Sequence, residues 1–240
     1  MFDFMGSMVD MFNNVVVNNN SSGLNHFDDA GEVDLSKIKF VKSPNFDARR
    51  NGQKPFSIVM HHTGSTNFNS DIAWLTNKQA NASTHYIISQ NGEIVQMVST
   101  KDRAWGVGTS YWKFDNGVET HDLNNVSISV EMTNIGMLSQ GQDGKYYYNA
   151  GRDNKEWTLD MPVYGELVYP DGHKLKGGAV QYPYAQTDAA MRLCKALIKM
   201  YPEIKKEYIL GHFQVAIPSG RKSDPSFTFN MEDFKNKVFG

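Results

Sequence analysis

The stretch that most constrains the fold is Ser57-Ile58-Val59-Met60-His61-His62-Thr63. A short apolar run with β-branched members reads as a strand covered on both faces. It ends in two histidines, and a strand end holds an imidazole rigidly. A second histidine follows the apolar pair Ile209-Leu210 and Gly211, at His212, and an aspartate stands in Arg221-Lys222-Ser223-Asp224-Pro225. His61, His212 and Asp224 offer two nitrogens and one oxygen. That set suits zinc with a fourth position open to water. A zinc site that only holds a fold usually takes four protein ligands and is often cysteine-rich. Here the only cysteine is Cys194, set among Leu193, Ala196 and Leu197 in a helical pattern, where it reads as an apolar filler. No internal disulfide is possible.

The chain has 240 residues, enough for one sizeable domain with additions. A formal net charge of -2 gives no case for a nucleic-acid partner. No apolar run approaches the roughly 20 residues of a transmembrane helix. The start, Met1-Phe2-Asp3-Phe4-Met5, lacks the basic n-region of a secretory signal, so the expected location is the cytoplasm.

In chain order, Met1, Phe2, Met5, Met8, Val9 and Phe12 mark one face of an N-terminal helix. Its polar face carries Asp3 and Asp10 and no basic residue, which argues against an anionic membrane and for packing on the domain or on another chain. A polar linker follows, so residues 1–36 form an N-terminal helix and linker and residues 37–240 the main domain. Asn69 or Ser70 caps a helix from Asp71 to Ala80 that buries Ile72, Trp74 and Leu75. Asn91-Gly92 between apolar runs predicts a hairpin of 84–89 with 93–98. In 126–132, Val126, Ile128, Val130 and Met132 alternate with Ser127, Ser129 and Glu131, which predicts a strand with one core face and one polar face. Residues 138–182, with Tyr146, Tyr147, Tyr148 and a turn at Asp171-Gly172, read as an insertion of loops or hairpins. A helix from Tyr184 or Thr187 to Tyr201, a strand over 208–212 and a final helix capped by Asn230 complete the chain. The fold class is α/β, mixed α+β: a central mixed β-sheet flanked by helices.

Taken in order, His61-His62-Thr63, Ser83-Thr84-His85-Tyr86, Asn91-Gly92-Glu93, Arg103-Ala104-Trp105, Ser129-Val130-Glu131, Gly211-His212 and Arg221-Lys222-Ser223-Asp224-Pro225 resemble the zinc-dependent N-acetylmuramoyl-L-alanine amidases. That family includes amidase-type phage lysozymes, anhydro-muropeptide amidases and peptidoglycan recognition proteins. The resemblance covers roughly residues 55–135 and 183–235. It implies zinc in a surface groove on His61, His212 and Asp224, and a peptidoglycan or muropeptide substrate. It implies Glu131 as the acid–base catalyst and Lys222 as the oxyanion stabiliser. A solvated strand glutamate and an ordinary surface lysine are the plain alternatives for those two. His62, Trp105 and Thr84 are the expected substrate contacts, with His62 beside the metal rather than on it.

Two positions depart from the family pattern. Thr84 stands where some amidase-type lysozymes carry tyrosine, which leaves proton transfer to Glu131. Gly106 stands where many relatives carry histidine. Trp105, Tyr111 and Trp112 read equally as sugar-stacking or as packing under a loop. His85 reads as a core residue. His26, His121 and His173 sit in polar stretches and receive no role. The expected activity is hydrolysis of the amide between N-acetylmuramic acid and L-alanine, by a phage endolysin released onto the wall. The alternatives are a cytoplasmic muropeptide-recycling amidase, a muropeptide-binding module without catalysis, and a zinc peptidase acting on cross-linking peptides.

Overall fold

A computed structural model describes residues 26–28, 30–150 and 153–240. The N-terminal helix expected over 1–13 lies outside the described residues. Among the described residues, no helix is long and apolar enough to cross a membrane.

Five strands and a helix come first: β1 (Lys39–Phe40), β2 (Phe46–Ala48), β3 (Ser57–His62), α1 (Phe68–Leu75), β4 (Tyr86–Ile88) and β5 (Ile94–Gln96). The chain continues through β6 (Asp102–Ala104), β7 (Trp112–Lys113), β8 (Glu119–Thr120) and β9 (Ser127–Met132). Strands β10 (Met137–Gln140), β11 (Tyr146–Ala150), β12 (Asp153–Glu156), β13 (Val163–Val168) and β14 (Lys174–Ala179) follow. Then come α2 (Tyr184–Met200), β15 (Ile209–Gly211), α3 (His212–Val215) and α4 (Met231–Phe239).

The central sheet has the order β1-β5-β4-β9-β3-β15. β4, β9, β3 and β15 run parallel, and β5 joins β4 antiparallel through the Asn91-Gly92 turn. Gly92 has φ 89°, the left-handed conformation that this turn needs. Helix α2 lays Ala190, Leu193, Cys194 and Leu197 on Ile58, Met60, Ile128 and Val130. On the other face, Val59 packs with Val107, Leu123, Val126 and Leu210, and Leu75 of α1 packs with Ile87, Val95 and Met97. Both faces are therefore covered, which is why β3 reads as a continuous apolar run. Since four strands are parallel, their C-terminal ends lie along one edge, where open α/β sheets bind ligands.

Several expectations are corrected. Ser127 and Ser129 do not face water: they are 0% and 1% exposed. A loop covers them, and Gly106 packs so closely on Ser129 that a Cβ at 106 would lie 2.7 Å from its Oγ. Helix α1 starts after Asn67, which accepts from Ser70 N at 2.9 Å, and it ends at Leu75 rather than Ala80. Its buried residues are Asp71 and Leu75, while Trp74 is exposed. Its inward stripe is Phe68, Asp71, Ile72 and Leu75, spaced at three and four residues, and Trp74 falls off it. His26 is buried, not in an open loop, and Val33 is part of the main core, so the segment assigned to the linker already packs on the domain.

The segment expected as an insertion forms a five-stranded antiparallel sheet, order β12-β11-β10-β14-β13. Asn230 caps α4 as expected, accepting from Glu232 N and Asp233 N.

Candidate metal centre and catalytic cleft

The register of the parallel strands builds the site. His61 on β3 is the partner of Glu131 on β9, and Gly211 on β15 is the partner of Met60. His212 follows Gly211 directly, so three neighbouring strands end in His212, His61 and Glu131. The segment bearing Asp224 is tied back to this edge by Phe213 N, which donates to Asp224 O at 2.8 Å. Gly211 makes that approach possible: a Cβ there would lie 2.7 Å from the Phe213 ring and 3.2 Å from Pro225.

His61, His212 and Asp224 are all buried and form a group able to hold a metal ion. His61 Nδ1 and His212 Nδ1 are 2.9 Å apart, and Asp224 Oδ2 lies 3.1 Å from the first and 2.9 Å from the second. His212 Nε2 donates to Val107 O at 2.8 Å, which turns Nδ1 toward His61 and Asp224. Burial, and then the neighbouring His212, lower His61 to about 4, so its ring is neutral at pH 7. Burial works to raise the Asp224 carboxyl, but His212 and His61 outweigh it and hold it well below the usual range. His61 Nε2 has no hydrogen-bond partner among the described residues. Two imidazole nitrogens and a carboxylate oxygen gathered this closely make a ready donor set for a cation. The donor set is the mixed N,N,O type that zinc accepts with one position left open.

Of the three, Asp224 lines a cleft of about 190 Å³ together with Glu131, Lys222, Asp71 and Trp74. Glu131 is half-buried, and its Oε2 has no partner among the described residues. Burial raises its pKa well above the usual value, the Asp224 and Asp71 carboxylates add to this, and the Lys222 ammonium opposes it. Lys222 is exposed. Its neighbour Arg221 donates to Ile217 O and Thr109 O at 2.9 and 2.7 Å, fixing the loop from which Lys222 projects.

The other expected contacts divide. His62 lines the cleft, accepts from Gly64 N at 3.2 Å on Nδ1, and is outside the metal-ligating group. Thr84 is fully buried, with its hydroxyl between Tyr86 O at 3.0 Å and Ser129 O at 2.9 Å, and it lies beneath the cleft rather than in its wall. Trp105 is half-buried and commits its indole N–H to Asp47 Oδ1 at 3.0 Å. Arg103 pairs with that same aspartate and with Asp122. The Arg103-Ala104-Trp105 motif is thus an ion-paired brace, and Gly106 is the member of this loop that reaches the cleft. His85 is buried, as expected: Nδ1 accepts from Ser129 N at 2.9 Å and Nε2 donates to Asp102 O at 3.1 Å.

Asp71 and Trp74 were missed as cleft residues. Asp71 is buried, accepts from Thr133 Oγ1 at 2.8 Å, and is raised in pKa by burial against its hydroxyl hydrogen bonds. The signal available for both was helix phase: Asp71 shares the stripe with Leu75, and this turns Trp74 outward.

Comparison with known proteins agrees with this geometry. The family profile described as N-acetylmuramoyl-L-alanine amidase matches residues 51–227. The 1,6-anhydro-N-acetylmuramyl-L-alanine amidase AmpD of Haemophilus influenzae is 23% identical over 221 residues, covering 85% of this chain and 94% of that protein. AmpD of Escherichia coli is 27% identical over 217 residues, covering 81% and 88%. Among solved structures, the E. coli amidase AmiD in complex with the substrate anhydro-N-acetylmuramic acid-L-Ala-D-gamma-Glu-L-Lys superposes with a TM-score of 0.54 at 26% identity, covering 80% of this chain and 60% of that one. A selenomethionine AmpD derivative gives 0.53 at 23% identity, covering 85% and 96%. With the profile spanning most of the described domain, and His61, His212 and Asp224 gathered at its sheet edge as a group able to hold a metal, the chain belongs to the N-acetylmuramoyl-L-alanine amidase family.

Proposed function

We propose that the protein hydrolyses the amide between the lactyl group of N-acetylmuramic acid and the L-alanine of the stem peptide. The observation that carries this reading is the convergence of His61 Nδ1, His212 Nδ1 and Asp224 Oδ2, the last of which lines one cleft with Glu131 and Lys222. His61, His212 and Asp224 hold zinc in this reading. Zinc bound there supplies a polarised water and a Lewis acid for the scissile carbonyl. Glu131 takes the proton of the attacking water and delivers it to the leaving nitrogen, and burial, which raises its pKa well above the usual carboxylate value, strengthens it as a base. Lys222 holds the negative charge that develops on the carbonyl oxygen. The C–N bond breaks, giving the muramic carboxylate and a new L-alanine amine. His62 orients the bound substrate at the cleft edge, while Trp105 and Thr84 support the walls from behind.

The biological setting proposed is lysis: an endolysin made in the cytoplasm that meets the wall once the membrane is breached. A second reading is favoured by one observation. The relatives named above are 1,6-anhydro-N-acetylmuramyl-L-alanine amidases, and AmiD was solved with an anhydro-muropeptide. That reading makes soluble anhydro-muropeptides the substrate and recycling the role.

Mass spectrometry of the fragments released from intact sacculi and from soluble anhydro-muropeptide tests both. Free stem peptides beginning with L-alanine are expected from either substrate, and turnover of sacculi favours lysis. Release only from the soluble substrate favours recycling, and new termini within the peptide contradict the amidase.

A further inference from the structure

Helix α1 presents one aromatic ring to the cleft without burying it. Trp74 is 56% exposed, whereas Asp71 and Leu75 on the same helix are 7% and 8% exposed. The underside of the helix, Phe68, Ile72 and Leu75, packs on Ile87, Val95 and Met97. At the cleft end, Thr133 Oγ1, just beyond β9, donates to Asp71. The helix is therefore fixed to the sheet at both places, and Trp74 stands on a rigid wall.

The cleft has a defined layout. α1 covers β4 and β5 on one side, and the 221–224 loop stands beside β15 on the other. The ends of β9 and β3 lie between them. Trp74, Glu131 and Lys222 share a cleft of about 190 Å³. A molecule that sets an amide beside Glu131 and Lys222, and carries a sugar-sized group on either side of it, touches the α1 wall. An exposed indole there offers a large rigid apolar face with no charge to desolvate. Tryptophan is enriched among the residues that carry most of a binding energy.

We propose that Trp74 is a specificity-determining residue that packs its indole face against the C–H-bearing surface of the substrate next to the scissile amide. This rests on the amidase reading. Two parts of such a substrate carry that chemistry, the pyranose ring of the muramic acid and the alkyl portion of the stem peptide.

The test is steady-state kinetics of the full chain on N-acetylmuramoyl-L-alanine and on N-acetylmuramoyl tripeptide. Calorimetric binding of the tripeptide compound is measured alongside, in a Glu131→Gln background with and without Trp74→Ala. Trp74→Ala is expected to raise KM about tenfold with kcat within about twofold, and Trp74→Phe to recover most of the loss. A rise on both substrates assigns the contact to the sugar, and a rise on the tripeptide alone assigns it to the stem. KM unchanged on both overturns the proposal. If the wild type cleaves neither compound, calorimetry decides on Trp74, and the amidase reading fails only if sacculi and soluble anhydro-muropeptide are left uncleaved as well. Binding weakened about tenfold by Trp74→Ala sustains it, and equal binding or none overturns it.

Discussion

His61 and Glu131 are register partners on the adjacent parallel strands β3 and β9, so the first histidine of the pair and the cleft glutamate project from the same face of the sheet at one level. Neighbouring residues at one register step sit about 5 Å apart. That is close enough for a carboxylate to serve a water held at the imidazole, and too rigid for either group to wander. The spacing is fixed by backbone hydrogen bonds rather than by a loop.

Two substitutions separate proton transfer from charge stabilisation. Glu131→Gln keeps the shape and removes the proposed base, and kcat is expected to fall roughly 10²–10⁴-fold. Lys222→Ala removes an exposed ammonium and is expected to cost roughly 10²–10³-fold in kcat. Unfolding midpoints near the wild type in both variants would attribute the losses to chemistry. A Glu131→Gln enzyme within about tenfold of the wild type would remove Glu131 from the mechanism.

His62 depends on Gly136. That glycine has φ 74°, and a Cβ built there collides with the His62 ring. Gly136→Ala is expected to destabilise by about 1–3 kcal/mol from the left-handed backbone alone, and to displace His62 from the cleft edge. Urea unfolding measures the first effect and KM the second. Unchanged stability and KM would show that the β9–β10 connection adapts freely.

The buried His85 makes stability depend on pH. Burial, and then the Arg49 charge, lower its pKa from 6.5 to about 3. Between those values the unfolded chain binds a proton that the folded chain does not. The contribution is therefore complete above pH 6.5 and is lost progressively as pH falls toward 3. His85→Gln lacks this titration. From pH 7 to pH 5 the wild type should lose about 2 kcal/mol more than the variant in urea unfolding. Parallel losses would contradict a neutral buried imidazole.

What the sequence revealed depended on how local the signal was. β3, the Asn91-Gly92 hairpin, α2 and the Asn230 cap each rest on periodicity or turn chemistry within a dozen residues, and all were legible. Strands of two or three residues such as β1 and β6 carry too little pattern to read. β14, with the sequence Lys-Leu-Lys-Gly-Gly-Ala, lacks the alternation that marks a strand, so the insertion was readable only as loops or hairpins. Ser127 and Ser129 misled because small polar residues on a strand normally face water, whereas here they make room for the Gly106 loop. The size of Trp74 suggests burial, whereas the helix phase places it outside. The triad was proposed from residue chemistry. Its convergence depends on the register of β3 with β15 and on the Phe213–Asp224 backbone bond, which no local pattern encodes.

The most direct test of the central claim is zinc content measured together with stem-peptide release, before and after chelation, for the wild type and for Asp224→Ala. The account predicts about one zinc per wild-type chain, release of peptides beginning with L-alanine that stops on chelation and returns with added zinc, and neither metal nor release in Asp224→Ala. Sustained release of the same peptides from metal-free protein would contradict it.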